Sequence, residues 1–121
     1  MITSGVVTTS VLEAAQRLSE NDVQSRVINM HTIKPLDIDT LESVLDSELV
    51  VTVEEHSING GLGGAVSEFL SEHKNAPRLC RIGVNDVYPH AGSYKFLMKE
   101  NGLDSEGIFS TVMKNYREVL A

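Results

Sequence analysis

Residues 49–70, Leu-Val-Val-Thr-Val-Glu-Glu-His-Ser-Ile-Asn-Gly-Gly-Leu-Gly-Gly-Ala-Val-Ser-Glu-Phe-Leu, constrain the fold more than any other part of the chain. Positions 49–53 are a β-branched run with no polar face, which reads as a strand buried on both sides. Glu54, Glu55 and His56 end that run, and a turn containing Gly60, Gly61, Gly63 and Gly64 follows. Apolar residues then return at helical spacing: Leu62, Ala65, Val66, Phe69 and Leu70 fall at i, i+3, i+4, i+7 and i+8. A doubly buried strand joined by a polar turn to an amphipathic helix is the repeating unit of a parallel α/β sheet. Ligands and partners of such sheets meet the carboxyl ends of the strands, which is where the carboxylates, imidazole and glycines lie.

Around this unit the rest of the chain alternates in the same way. Residues 1–3 read as the tail of a strand, and Ser4-Gly5 turns into a helix carrying Val7, Val11, Ala14, Ala15 and Leu18 on one face, ending near Asn21 and Asp22. Three residues are short for a central strand, which usually has about five or six. Residues 23–30 are rich in valine and isoleucine and predict a second strand; residues 32–37 predict an extended link, because Pro35 disfavours the α conformation at Lys34. Asp37 or Asp39 can cap a short helix bearing Ile38, Leu41, Val44 and Leu45. The helix that starts in the glycine turn runs to about His73, Asn75-Ala76-Pro77 breaks it, and residues 79–84 predict another strand. Tyr94, Leu97 and Met98 share a helical face before a stop at Asn101-Gly102, and Asp104 can cap a last helix with Ile108, Val112, Tyr116, Val119 and Leu120 inward. The expected architecture is one α/β domain over residues 1–121, three layers α/β/α around a mostly parallel sheet with right-handed crossovers.

Charge and cysteine usage narrow the function. Seventeen acidic side chains against ten basic ones leave a net charge of −7, which opposes binding to nucleic acid or to an anionic membrane surface. No run approaches the roughly 18 apolar residues needed to cross a bilayer, and the first residues lack the basic and apolar regions of a secretory signal. The single cysteine, Cys80, cannot form an internal disulfide and reads as a small buried hydrophobe in a strand, so a cytoplasmic location is expected.

The glycine turn invites a nucleotide reading that its spacing rejects. Six residues separate Val53 from Gly60, the third glycine of a dinucleotide fingerprint would fall at Val66, and no Lys-Ser or Lys-Thr follows for a phosphate loop. Glu54, Glu55 and His56 could supply acid–base chemistry, but consecutive strand residues point to opposite faces and do not converge. One of the carboxylates is instead expected to accept hydrogen bonds from the unpaired amides at the start of the following helix. Gly60, Gly61, Gly63 and Gly64 are expected to allow positive φ or close packing of that helix. His31, His73 and His90 lack the spacing of metal ligands. No catalytic, cofactor-binding or metal-binding residue is therefore assigned; Glu54, Glu55, His56, Gly60, Gly61, Gly63 and Gly64 are expected to be structural and interface residues.

Taken together, residues 27–37 (Val-Ile-Asn-Met-His-Thr-Ile-Lys-Pro-Leu-Asp), residues 49–56 and residues 60–70 resemble the C-terminal domain of transketolase-type thiamine diphosphate enzymes. Ser4-Gly5 and residues 102–108 also match, so the resemblance covers nearly the whole chain in order. It implies a three-layer α/β/α domain that follows a diphosphate-binding and a pyrimidine-binding domain, which hold the cofactor, the magnesium ion and the glutamate that activates thiamine. The chain is thus expected to be a piece lacking those two domains, inactive alone, with its first strand clipped and an unpaired strand edge left open. Within the superfamily, Glu54-Glu55-His56 followed by Gly60-Gly61-Leu62-Gly63 resembles transketolases, particularly split bacterial ones. The parent would transfer a two-carbon ketol unit between sugar phosphates in the pentose phosphate pathway and work as a dimer or other homo-oligomer. Its partners here would be the missing domains or subunit. The alternatives are the C-terminal docking domain of a 2-oxoacid dehydrogenase beta subunit, whose Thr-Ile-Lys-Pro-Leu-Asp pattern matches residues 32–37, and a deoxyxylulose-phosphate synthase.

Overall fold

The computed structural model describes residues 1–85 and 91–121. Strands β1 (Ile2–Thr3), β2 (Ile28–Asn29), β3 (Leu49–Ser57) and β4 (Arg78–Val84) alternate with helices α1 (Thr8–Ser19), α2 (Ile38–Glu42) and α3 (Leu62–Ser71); α4 (Tyr94–Glu100) and α5 (Ser105–Leu120) follow. Among the described residues the sheet has four strands in the order β2-β1-β3-β4, all parallel, as expected for an α/β domain of alternating elements. Ile2 stands opposite both Ile28 and Thr52, so β1 lies inside the sheet rather than at its edge.

The alternation of side chains along β3 divides the core in two. Val51 and Val53 face α1 and α5, where Val7, Val11, Ala14, Leu18, Leu103, Ile108 and Val112 close over them. Val50 faces the other way, into a cluster with Ile2, Leu41, Val44, Leu62, Val66 and Leu70 from β1, the α2 region and α3. Helices therefore cover both faces, which is why β3 needs no polar side. Cys80 is buried on the α1/α5 side at 8% exposure, and burial pushes its thiol pKa up; it behaves as a small core residue.

Helix ends follow local chemistry. Asp37, not Asp39, caps α2: its carboxylate accepts from Thr40 N at 3.0 Å and Thr40 Oγ1 at 2.6 Å, and these bonds hold its pKa below the usual range. Asp104 accepts from Gly107 N at 2.9 Å at the start of α5. After α4, Gly102 takes φ +67° and Leu103 N donates to Met98 O, a left-handed stop of the kind Asn101-Gly102 predicts.

Four expectations are corrected. The second strand is confined to Ile28–Asn29 instead of residues 23–30, because β1 offers only Ile2 and Thr3 to pair with, and residues 23–27 have no ladder partner. Tyr94 is 54% exposed and α4 buries none of its residues, so the face shared by Tyr94, Leu97 and Met98 does not enter the core as a unit. Leu120 is exposed at the end of α5, and Tyr116 turns its hydroxyl outward to Glu48 at 2.8 Å. The helix expected to reach His73 ends at Ser71, where His73 folds back with its ring Nδ1 at 2.9 Å from Phe69 O.

Candidate functional site

At the carboxyl end of β3 the three polar residues separate, as alternation requires. Glu54 is 2% exposed and faces α3, whereas Glu55 is half-buried and His56 is exposed. The Glu54 carboxylate accepts from Leu62 N at 3.0 Å through Oε1 and from Gly63 N at 2.6 Å through Oε2. Those amides belong to the first turn of α3, whose N-cap, Gly61, has no side chain to offer. A carboxylate eight residues earlier on the strand thus does the work of a capping side chain, with the favourable end of the helix dipole added to two charge-assisted bonds.

The four glycines serve different purposes. Gly60 has φ +81°, a left-handed conformation with no steric neighbour to fill the space of a Cβ. Gly61 has ordinary φ, but a Cβ there would collide with Glu54 Oε1. Gly63 is constrained by close approach rather than positive φ: a Cβ would meet Thr52 Oγ1 at 2.9 Å, Glu54 Oε2 at 3.0 Å and Arg81 Cδ at 3.1 Å. Gly64 meets nothing within 4 Å and has no positive φ, so neither constraint applies to it.

Three residues of this region carry no signal in the sequence pattern. Tyr94 Oη donates to Glu55 Oε2 at 2.6 Å, tying the start of α4 to the end of β3; this bond raises the tyrosine pKa. Arg81 Nη1 donates to Ile58 O at 3.1 Å and steadies the turn from the neighbouring strand. Gly83 lets the turn pass close, since a Cβ there would lie 2.7 Å from Ile58 Cγ2 and 3.0 Å from His56 O. A β-bulge between Val53 and Ser57 accompanies this approach. Arg81 and Gly83 sit in an ordinary-looking strand, and Tyr94 is far away in sequence, so periodicity could not have marked them.

Among the described residues, Glu54, Glu55 and His56 stand apart instead of converging on one point. The amides of α3 that could hold a diphosphate are already taken by Glu54, whose charge would repel one. Among the described residues no three His, Cys, Asp or Glu side chains are grouped so as to hold a metal ion. His73 follows the far end of α3, and His90 lies outside the described residues. Among the described residues at the end of β3, Leu62 N and Gly63 N are thus not free to bind a diphosphate.

The family model for the transketolase C-terminal domain matches residues 1–108. The chain belongs to the transketolase C-terminal domain family. A transketolase C-terminal section from Methanocaldococcus jannaschii is 39% identical over 118 residues, covering 98% of this chain and 37% of that protein. One of the subunits of an apulose-4-phosphate transketolase from Actinobacillus succinogenes is 34% identical over 110 residues, 89% of this chain and 35% of that one. A 1-deoxy-D-xylulose-5-phosphate synthase from Acinetobacter baumannii is 33% identical over 89% of this chain and 17% of its own length. Among solved structures, a split-gene transketolase described as an inactive beta4 tetramer superposes with a TM-score of 0.84 at 38% identity, over 93% of this chain and 37% of that one. The chain spans about a third of the length of the transketolase sections it matches. No helix among the described residues is long and apolar enough to cross a membrane.

Proposed function

We propose that this domain is the C-terminal piece of a transketolase whose parent moves a two-carbon ketol unit between sugar phosphates, with thiamine diphosphate and magnesium held entirely by domains or a subunit outside residues 1–121. The observation that supports this reading is the Glu54 carboxylate seated on the α3 amides, which fills the helix start that follows the glycine turn from within the chain. Glu54, Gly60, Gly61 and Gly63 fix the shape of the turn, while Glu55, His56 and Gly64 stand at its surface, where they meet the cofactor-bearing part of the enzyme. The domain alone is inactive, and the parent is a cytoplasmic homo-oligomer; the inactive tetramer of the related split-gene section supports the first point.

Two measurements test this. Calorimetry of the 121-residue chain with thiamine diphosphate and magnesium should show no binding. In the parent, His56→Ala should lower the rate of ketol transfer less than about tenfold, an amount consistent with a perturbed contact rather than a lost reacting group. Cofactor binding by the isolated chain, or a loss of three or more orders of magnitude with folding and cofactor affinity intact, would overturn it. A second reading, the equivalent domain of a 1-deoxy-D-xylulose-5-phosphate synthase, rests on the relative from Acinetobacter baumannii. Formation of that product by the parent, in place of ketol transfer, would select it.

A further inference from the structure

The glycine turn is anchored on both sides: Ile58 N donates to Val84 O at 3.0 Å before it, and Leu62 N donates to Glu54 at 3.0 Å after it. Between those points the exposed pair Asn59-Gly60 makes a single hydrogen bond among the described residues, from Asn59 N to Ser57 Oγ at 3.3 Å. Gly60 N and the Asn59 side-chain amide are left free of protein partners there.

The other described asparagines are tied down where this one is not. Asn101 is also followed by a glycine, but Gly102 N donates to Lys99 O at 3.1 Å and Asn101 Nδ2 donates to Leu97 O at 2.8 Å. Asp22 N, Met30 N and Ala76 N, which follow Asn21, Asn29 and Asn75, donate to Ser19 O, Thr3 O and His73 O. Asn115 lies within α5.

We propose that Asn59 is a site of spontaneous deamidation, in which the backbone nitrogen of Gly60 attacks the side-chain amide of Asn59. Gly60 N gives its proton to solvent and bonds to Asn59 Cγ, the Cγ–Nδ2 bond breaks, and Nδ2 leaves as ammonia with a proton from water. Water then opens the resulting five-membered succinimide at either of its carbonyls, giving aspartate or isoaspartate. Glycine favours the attack because no side chain shields its nitrogen, and the space that a Cβ would take at Gly60 is empty for 4 Å. No hydrogen bond has to open before the nitrogen turns toward Cγ, and the backbone on either side of it is loosely held. Either product adds a negative charge three residues beyond His56, and isoaspartate also lengthens the backbone of the turn by one carbon.

The test incubates the full-length protein that carries this domain at pH 8, folded or in guanidinium chloride, and digests samples with a protease that cuts after glutamate. Asn59 then falls in the peptide 56–68 and Asn101 in the peptide 101–106, each the only asparagine of its peptide. In denaturant the two Asn-Gly pairs should convert at similar rates, read by mass. In the folded protein Asn59 should stay within about threefold of that rate while Asn101 falls about thirtyfold below it, the factor for two ordinary hydrogen bonds that must open first. Electron-transfer fragmentation should find both aspartate and isoaspartate in 56–68, and conversion should be slower at pH 6, where less of the attacking nitrogen is deprotonated. Asn59→Gln, an exposed change whose side chain has no bond to lose, should abolish the conversion in 56–68 and leave that in 101–106 unchanged. Protection of Asn59 in the folded protein equal to that of Asn101, or aspartate without isoaspartate, would overturn the proposal.

Discussion

Replacing Glu54 by glutamine probes the join between β3 and α3. In the wild-type chain each carboxylate oxygen takes one amide, Leu62 N at 3.0 Å and Gly63 N at 2.6 Å, in a site 2% exposed. A glutamine keeps one acceptor and turns an NH₂ group toward the other amide. The donor so stranded costs about 1–3 kcal/mol, and the surviving bond, no longer charge-assisted, loses about 1 kcal/mol more. Loss of the charge at the helix start adds about 0.3–1 kcal/mol. Against these stands the easier burial of an amide than a carboxylate, worth roughly 1–2 kcal/mol here because two donors and the helix dipole already compensate the charge. The net expectation is a loss of about 2–3 kcal/mol. In urea, with a slope of about 1–1.5 kcal/mol per molar, the unfolding midpoint should fall by about 2 M at unchanged slope. A midpoint within about 0.3 M of wild type would show that Glu54 does not hold the helix.

Gly61→Ala should destabilise by about 2–4 kcal/mol, because its Cβ would displace the Glu54 carboxylate, whereas Gly64→Ala, in an open helical position, should stabilise by about 0.5–1 kcal/mol; equal effects in thermal unfolding would contradict the distinction. Gly63→Val should cost about 1–3 kcal/mol through crowding of Thr52 and Glu54, and rescue by Thr52→Ala would confirm that the contact, not the backbone angle, is responsible.

The elements that bury a continuous apolar stripe were legible from the sequence. Val11, Ala14 and Leu18 in α1, Val66 and Leu70 in α3, and Ile108 and Val112 in α5 lie where a 3.6-residue period puts them. So was a carboxylate at the start of α3, because the strand–turn–helix order puts Glu54 and Glu55 near its free amides; that Glu54 is the one followed only from which face of β3 it takes. What sequence reasoning lacked was pairing. Whether residues 23–27 form a ladder depends on the extent of β1, a property of another segment, and their Val and Ile content is silent about it. Tyr94 misleads for a similar reason: its partner, Glu55, lies 39 residues away and is polar, so its place on the apolar face of α4 is outweighed by one surface hydrogen bond. The need for glycine at position 63 was visible, but its cause, the side chains of Thr52, Glu54 and Arg81 from two strands, was not.

The pairing of the first helix with the last has a consequence for synthesis. Val11, Ala14 and Leu18 pack with Val51 and Val53 of β3 and with Leu103, Ile108 and Val112, so the apolar stripe of α1 is only partly covered until α5 has been made. At a translation rate of about 5–20 residues per second, that stripe waits on the order of 5–20 s after α1 leaves the ribosome. During that interval a nascent chain offers an amphipathic helix and an incomplete parallel sheet to whatever is nearby. Chaperones that recognise apolar helices have their best opportunity then, and overexpression at high temperature should lose this chain to aggregation during synthesis more readily than after release.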